Sequence, residues 1–157
     1  TALALPGSVE RLAAEMRRGE AGTGYEAALD RIRVVVGEKR FALGMQLIEA
    51  AQDPLDIAAG LSRLAEAAIL VAQEHAEAEF ARSHGRIAGG ELIVLGLGRL
   101  GGGALTHASD LDVIYLFTEG EVEESDGPRP LGRTLYMNRL AQRLGAALSV
   151  PTAEGAL

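Results

Sequence analysis

The sequence predicts an α+β fold in which a helical section precedes a small sheet. Three observations support this prediction. Apolar residues recur at helical spacing as far as about residue 83, whereas two compact apolar runs rich in β-branched residues follow residue 90. Between these runs, five glycines fall within eight positions (Gly96, Gly98, Gly101, Gly102 and Gly103). We expect the functional site at this glycine-rich junction between two strands.

Composition restricts the chain to one soluble domain or a large piece of one. Its 157 residues are 48% hydrophobic and include no run near the ~18–20 uncharged apolar residues of a spanning helix, which disfavours membrane and disordered classes. The lack of cysteine excludes disulfide scaffolds and thiol catalysis, and a cytoplasmic location is expected. The net charge of −7 argues against a nucleic-acid-binding surface but leaves open a nucleotide held locally through a metal ion.

The first two helices are predicted from their capping residues and their glycines. Ser8 is a favourable N-cap for a short amphipathic helix over residues 9–16, which Gly19 can end. A second helix is predicted from about Tyr25 to about residue 48, with an expected interruption at Gly37.

A third, longer helix is predicted from Asp53 to about Ser83. Asp53 followed by Pro54 combines an N-cap with proline at the first helical position, and His84-Gly85 is a suitable C-terminal cap. The apolar stripe steps by three and four residues through Leu61, Leu64, Ala68, Val71 and His75. We interpret His75 and His84 as structural residues.

The periodicity changes after residue 88. Residues 91–95 and 111–117 are predicted as buried strands, and the acidic segment 119–128 as a mobile exposed loop. A last helix is predicted from about Arg133 to about Leu148.

The glycine cluster allows a dinucleotide-binding interpretation. Residues 96–101 read Gly-Leu-Gly-Arg-Leu-Gly directly after a strand, and Glu119 follows 21 residues beyond Gly98. However, only residues 102–109 are available for a crossover helix, and two further glycines at its start cost about 1 kcal/mol each in a helix interior. A Walker-type phosphate loop is disfavoured because no Gly-Lys-Ser/Thr follows.

The alternative interpretation is a metal and phosphate site. Asp110 and Asp112 stand at the start of a predicted strand, where alternation places both carboxylates on one face. Like charges held this close need a cation, and Mg²⁺ prefers carboxylates together with substrate phosphates. Gly101 and Gly102 then let backbone N–H groups approach a polyphosphate, next to the positive end of a short helical turn after them.

Each of these features also has an ordinary explanation. A lone Asp-x-Asp is more often a solvated strand start, and a glycine cluster is more often a tight turn than a ligand loop. Arg99 taken alone is a surface charge, and His107 a loop residue. The conjunction of glycine turn, short linker and aspartate-headed strand is what favours the metal and phosphate site.

At this point the residues resemble a known family. Residues 89–117 are similar to the signature of the glutamine synthetase adenylyltransferases, in which G-K-L-G-G and S-D-[IL]-D form the active-site turn and metal-binding strand. Further similarity lies in residues 38–44, 79–86, 139–144 and 151–157, so the resemblance covers about residues 25–157.

The resemblance implies a fold and a set of site residues. It implies that residues 1–88 are a helical section and residues 89–157 the N-terminal part of an incomplete DNA polymerase β-like nucleotidyltransferase core. ATP is the implied substrate and Mg²⁺ the implied cofactor, with Asp110 and Asp112 as catalytic and metal-binding residues. The implied nucleotide-binding residues are Gly98, Arg99, Gly101, Gly102 and Ser109, of which Ser109 supports the turn.

The resemblance also implies a function and partners. Enzymes of this family transfer AMP from ATP to a tyrosine of glutamine synthetase in one unit and remove it by phosphorolysis in a second, homologous unit. The last helix and the segment after it look more like the adenylylating unit, with the deadenylylating unit as the alternative. PII signal proteins are implied as regulators, and a non-catalytic nucleotide-sensing or docking module is the alternative of another class.

Two departures from the family pattern bear on activity. Arg99 replaces the usual lysine, which keeps the charge but changes a point donor into a planar fork, and Gly103-Ala104 replaces a more polar pair. The family's third metal-binding carboxylate is expected beyond Leu157. We therefore expect the 157-residue chain to be inactive or nearly so by itself.

Overall fold

The computed structural model describes residues 5–18 and 24–149, and within these ranges it contains five helices and two strands. The predicted α+β class is confirmed. The polymerase β-like core stays a prediction, as does the division between residues 88 and 89. Gly19 and residues 151–157, to which the sequence assigns a helix end and a family segment, lie outside the described residues. Within the described residues, no helix combines the length and the apolar character needed to cross a membrane.

Two helices open the chain, α1 (Val9–Met16) and α2 (Tyr25–Ile48). The Ser8 hydroxyl accepts a hydrogen bond from the Arg11 N–H at 3.4 Å, which confirms the predicted N-cap. The expected interruption at Gly37 is wrong, because α2 continues through it. A glycine costs about 1 kcal/mol in a helix interior, and the packing of α2 on the next helix offsets this penalty.

The third helix, α3 (Pro54–His84), is the centre of the helical section and packs against α1 and α2. Asp53 caps its first turn by accepting a hydrogen bond from the Leu55 N–H at 2.7 Å. The helix ends at Gly85, whose positive φ of 71° suits a residue without a side chain. Nδ1 of His84 lies 2.7 Å from the Arg129 carbonyl oxygen, in agreement with a structural role for this histidine.

The sheet consists of two antiparallel strands, β1 (Leu92–Gly96) and β2 (Val113–Phe117). The short helical turn α4 (Gly98–Gly101) follows β1, and α5 (Arg133–Ser149) follows the loop after β2. The first strand is shifted by one residue from its predicted position, and the second begins two residues later than predicted.

One hydrophobic core joins the helical section to the sheet. It contains side chains from all elements except α4 and β2, and its members are less than 9% exposed; they include Leu12, Ile32, Leu64, Val71, Phe80, Leu92, Met137, Leu140 and Leu144. A smaller buried cluster (Leu43, Ile57, Leu61 and Leu105) lies between α2, α3 and the segment before β2. This second cluster brings the helices into direct contact with the segment that carries the two aspartates.

The other face of the sheet is apolar and exposed. Ile93 pairs with Leu116 and Leu95 with Ile114 across the two strands, and these four side chains are 40–49% exposed. A two-stranded sheet that carries apolar residues on both faces differs from the usual alternation of a buried and a solvated face.

The exposed loop predicted over residues 119–128 is confirmed, and its mobility stays a prediction. Its Ser125 is buried, and the Asp126 carboxylate accepts a hydrogen bond from the Arg86 N–H at 2.7 Å. An isolated bridge between Glu124 and Gly132 closes the loop. The five acidic residues of the segment are exposed, as predicted. The N–H groups of Gly127 and Arg129 donate to carbonyls at the end of α3.

Candidate functional site

Asp110 and Asp112 lie in the segment immediately before β2. Their predicted position at the start of a strand is wrong, because regular pairing begins at Val113. The alternation nevertheless extends back through this segment, since both aspartates are exposed and Leu111 between them is half-buried. The Leu97 N–H donates to the Asp112 carbonyl at 2.8 Å, which holds the second aspartate beside the end of β1.

Gly98 brings the glycine turn against the Asp112 carboxylate. It has a positive φ of 52°, and a Cβ at this position would stand 3.1 Å from Asp112 Oδ2. A side chain at residue 98 would therefore be strained by its backbone and crowded by the carboxylate. The structure thus places the first residue of α4 in contact with one of the two predicted metal ligands.

Gly101 and Gly102 are engaged inside the turn. A Cβ on Gly101 would overlap the Gly96 carbonyl, so this glycine allows α4 to pack on the end of β1. The N–H groups of Gly101 and Gly102 donate to the carbonyls of Leu97 and Gly98 at 2.9 and 3.0 Å. The expectation that the helical turn follows these glycines is wrong, because the turn ends at Gly101 and Gly102 is its C-cap.

The contact of these two glycines with phosphate stays a prediction, and their N–H groups already bond carbonyls within the turn. A helix leaves its first N–H groups without intrahelical partners, and in α4 these belong to Gly98, Arg99 and Leu100. The Arg99 side chain, in the same turn, is exposed.

Ser109 closes a tight turn directly before Asp110. Its hydroxyl oxygen lies 2.7 Å from the Thr106 hydroxyl oxygen and accepts a hydrogen bond from the Thr106 N–H at 3.1 Å. Its own N–H donates to the Thr106 carbonyl at 3.1 Å. The structure therefore shows Ser109 stabilising the turn, while its binding to a nucleotide stays a prediction.

A cleft of about 470 Å³ lies behind this turn. Its walls come from α2, α3, residues 105–111, β2 and the end of α5, and its polar lining includes Arg40, His107, Ser109 and Asp110. Tyr115 also lines the cleft, and partial burial raises the pKa of its phenol. This tyrosine is therefore neutral over the physiological pH range.

The donor set suits Mg²⁺ only in part. Among the residues that the structure describes, no three histidine or acidic side chains converge as in a complete metal site. Two exposed carboxylates two residues apart match the protein share of a Mg²⁺ site in which substrate phosphates supply further oxygens. The third metal-binding carboxylate that the family resemblance implies stays a prediction.

Three helical residues that contact residues 105–107 were not predicted from the sequence. Ser62 of α3 is buried and accepts a hydrogen bond from the Leu105 N–H at 3.0 Å, and Arg40 of α2 bonds His107. Gly44 of α2 faces the His107 ring. A polar residue beside the apolar stripe of α3 was a usable signal for Ser62, since a buried hydroxyl needs a partner. The contacts to His107 span more than 60 residues and leave no local pattern.

Comparisons with known proteins agree with one another. The family profile described as glutamate-ammonia ligase adenylyltransferase matches residues 1–157. Proteins from Mesorhizobium japonicum, Rhizobium meliloti and Brucella suis are 42%, 43% and 44% identical over 139, 137 and 136 residues, which cover 88%, 87% and 86% of this chain. Each is named a bifunctional glutamine synthetase adenylyltransferase/adenylyl-removing enzyme, and the matched part is 14% of the length of each.

Proposed function

Because this chain belongs to the glutamate-ammonia ligase adenylyltransferase family, we propose that it forms part of a nucleotidyltransferase site that transfers AMP from ATP to a tyrosine of glutamine synthetase. One observation carries the proposal. A Cβ on Gly98 would stand 3.1 Å from Asp112 Oδ2, so the glycine turn and this carboxylate lie side by side. A phosphate-binding turn and a metal-binding aspartate need this proximity, whereas a simple tight turn does not.

Asp110 and Asp112 are the residues that would hold Mg²⁺. Both are exposed and precede β2, so their oxygens are accessible to a cation and to a nucleotide. When bound, Mg²⁺ offsets negative charge on the phosphates of ATP. The polymerase β-like arrangement of the complete core belongs to this proposal and is supported by the family membership.

The turn supplies positive charge to the nucleotide. The N–H groups of Gly98, Arg99 and Leu100 have no intrahelical partner, and the exposed Arg99 guanidinium adds several donors in a planar fork. In the proposed reaction the tyrosine oxygen forms a bond to the α-phosphorus, the bond to pyrophosphate breaks, and the phenol proton is released. Gly101, Gly102 and Ser109 contribute by keeping the turn and the Asp110 segment in shape.

The partners of the whole enzyme follow from the family. Glutamine synthetase is named in the relatives as the protein acted on, and the present chain spans 14% of those relatives. PII signal proteins as regulators, and a cytoplasmic location, are supported by the family resemblance alone.

A binding experiment tests the site in the chain itself. ATP is titrated by calorimetry with and without Mg²⁺ into the parent protein, Asp110→Asn and Asp112→Asn, with Asp56→Asn as a matched control because Asp56 is exposed at the start of α3. We expect Mg²⁺-dependent binding in the parent and the control, and its loss in both site variants. Unchanged binding in the site variants would reject the assignment.

A second measurement separates the alternative activities. In a longer protein that contains this chain, incorporation of labelled AMP into glutamine synthetase supports adenylylation. Phosphate-dependent release of ADP from adenylylated glutamine synthetase would instead indicate the adenylyl-removing unit. Binding of NAD that needs no metal and persists in both aspartate variants would indicate a dinucleotide site.

A further inference from the structure

The turn that leads into Asp110 is attached to the helical section at two points. Both attachments use side chains of α2 or α3 and main-chain or side-chain groups of residues 105–107. Neither belongs to the glycine turn or to the aspartate pair.

The first attachment is a reciprocal pair of hydrogen bonds between Arg40 and His107. The Arg40 guanidinium donates to the His107 carbonyl at 3.1 Å, and His107 Nε2 lies 3.0 Å from the Arg40 carbonyl. A carbonyl only accepts, so His107 carries its proton on Nε2 in this contact. Each side chain thus bonds the backbone of the other residue, and this fixes both the position and the direction of the segment.

Gly44 makes this contact sterically possible. It lies four residues after Arg40 on the same side of α2, and a Cβ at this position would stand 3.3 Å from His107 Nε2. This is closer than ordinary van der Waals contact, so an alanine would push the imidazole away from the helix. By contrast, a Cβ on Gly37 of the same helix would have no neighbour within 4 Å.

The second attachment lies two residues earlier. The Leu105 N–H donates to the Ser62 hydroxyl at 3.0 Å, and that hydroxyl donates to the Ala58 carbonyl at 3.0 Å. The Leu105 side chain is 6% exposed and packs with Leu43 and Leu61. Backbone and side chain of one residue are therefore both anchored in the helical section.

We infer that the helical section positions the metal-binding aspartates, through the Arg40–Gly44–His107 contact and the Ser62–Leu105 bond. Leu105 precedes the Thr106–Ser109 turn and His107 lies inside it, and the turn is closed by its own hydrogen bonds directly before Asp110. The bonded contacts therefore reach from α2 and α3 to Ser109, the residue directly before Asp110. Arg40, Gly44 and His107 act as positioning residues, and the inference rests on the proposed function of Asp110 and Asp112.

The test compares two substitutions of His107. Mn²⁺, which is paramagnetic, is titrated into each protein in the presence of ATP. Its electron paramagnetic resonance signal is compared with that of a protein-free Mn²⁺–ATP solution, because ATP itself binds Mn²⁺. His107→Ala removes the donor to Arg40, and we expect about tenfold weaker Mn²⁺ binding, as for other residues that orient metal ligands. His107→Gln retains an N–H donor of similar reach and is expected to restore most of the affinity, although it lacks the imidazole.

A glycine pair provides the second arm. Gly44→Ala and Gly37→Ala both improve helix propensity by about 1 kcal/mol. We expect Gly37→Ala to unfold above the parental temperature and Gly44→Ala close to it, because displacement of the His107 ring offsets the gain. We expect Gly44→Ala alone to weaken Mn²⁺ binding. If Gly44 served folding alone, Gly44→Ala would not lower the Mn²⁺ affinity of a protein that keeps its stability.

Hydrogen exchange makes the inference testable apart from the metal. The amides of Leu105, Thr106 and Ser109 are expected to exchange faster in His107→Ala than in the parent protein, with Gly37→Ala unchanged. Parental exchange or parental Mn²⁺ affinity in folded His107→Ala overturns the positioning role. If the amides exchange faster in His107→Ala but the parent protein binds no Mn²⁺, the anchoring is supported and the metal site is rejected.

Discussion

At the residue scale, Gly98 combines two constraints that are separable by mutation. Its φ is 52°, and the space where a side chain would stand borders Asp112 Oδ2. Gly103 shares the first constraint, with a φ of 66°, but a Cβ there would meet nothing within 4 Å. The two glycines therefore form a natural pair for an experiment.

We expect Gly98→Ala and Gly103→Ala to lower the free energy of unfolding by a similar amount, about 1–2 kcal/mol, because both force alanine into the left-handed region. Only Gly98→Ala should also weaken Mg²⁺-dependent ATP binding, since it crowds the aspartate. Urea denaturation and calorimetry measure the two effects. Equal loss of ATP binding in both variants would show that turn geometry, and not the contact with Asp112, is what matters.

Tyr136 is a buried residue whose hydroxyl has a specific hydrogen-bond partner. Its ring packs edge-on against Phe80, and its hydroxyl donates to the Gly85 carbonyl at 2.9 Å at the end of α3. Removing the hydroxyl in Tyr136→Phe is expected to lower stability by about 0.5–1.5 kcal/mol. The exposed Thr134 provides a control, as Thr134→Val in the same helix should change the urea midpoint much less.

At the element scale, the helices were more predictable than the strands and turns. Ser8 and Asp53 announce helix starts locally, and both caps are present in the structure. The predicted start of β2 was wrong because the strand begins where its pairing with β1 begins, at Val113, and not where the strand propensity of the sequence begins. The Gly37 break failed for the same kind of reason, since tertiary packing outweighed a local preference.

The cap of α3 gives a direct test at this scale. Asp53→Ala removes the carboxylate that accepts from the Leu55 N–H, and we expect a loss of about 0.5–2 kcal/mol in the free energy of unfolding. Asp56→Ala in the same first turn removes a charge but no cap. A stability equal to that of Asp56→Ala would mean that the cap contributes nothing beyond its charge.

The residues of the candidate site itself were predictable from the sequence, whereas the helical residues that hold the site in place were not. Gly98, Asp110 and Asp112 stand in a recognisable pattern, whereas Arg40, Gly44 and Ser62 meet this pattern only through the packing of α2 and α3. Contacts between distant residues carry no local periodicity that a single sequence reveals. The residues that determine the position of a site are therefore harder to predict than the residues that perform its chemistry.

At the scale of the whole molecule, the shared core predicts a single unfolding transition. Leu12 of α1 and Leu144 of α5 are both almost fully buried in the same cluster, although they lie on opposite sides of residue 88. Leu12→Ala and Leu144→Ala are each expected to lower stability by about 2–5 kcal/mol and to shift one common transition. Two transitions, each sensitive to one variant only, would show that the sections unfold independently.

The three tyrosines predict how stability depends on alkaline pH. Burial is the main cause that raises the phenol pKa of Tyr25, Tyr115 and Tyr136 above its ordinary value near 10. Unfolding releases these protons more readily, so the stabilising contribution is complete below pH ~10 and is lost as the pH rises through the folded pKa values. Urea denaturation between pH 8 and 11 should show this decline, and a smaller decline in Tyr115→Phe. An identical decline in that variant would contradict the assignment to Tyr115.

The exposed apolar face of the sheet favours self-association of the protein in solution. This face is an exposed hydrophobic patch formed by Ile93, Leu95, Ile114 and Leu116. The net charge of −7 produces electrostatic repulsion between neighbouring molecules. Salt shortens the range of this repulsion to about 10 Å at 0.1 M and to about 3 Å at 1 M. The protein is therefore best kept dispersed at low ionic strength and well above its pI of about 5.0.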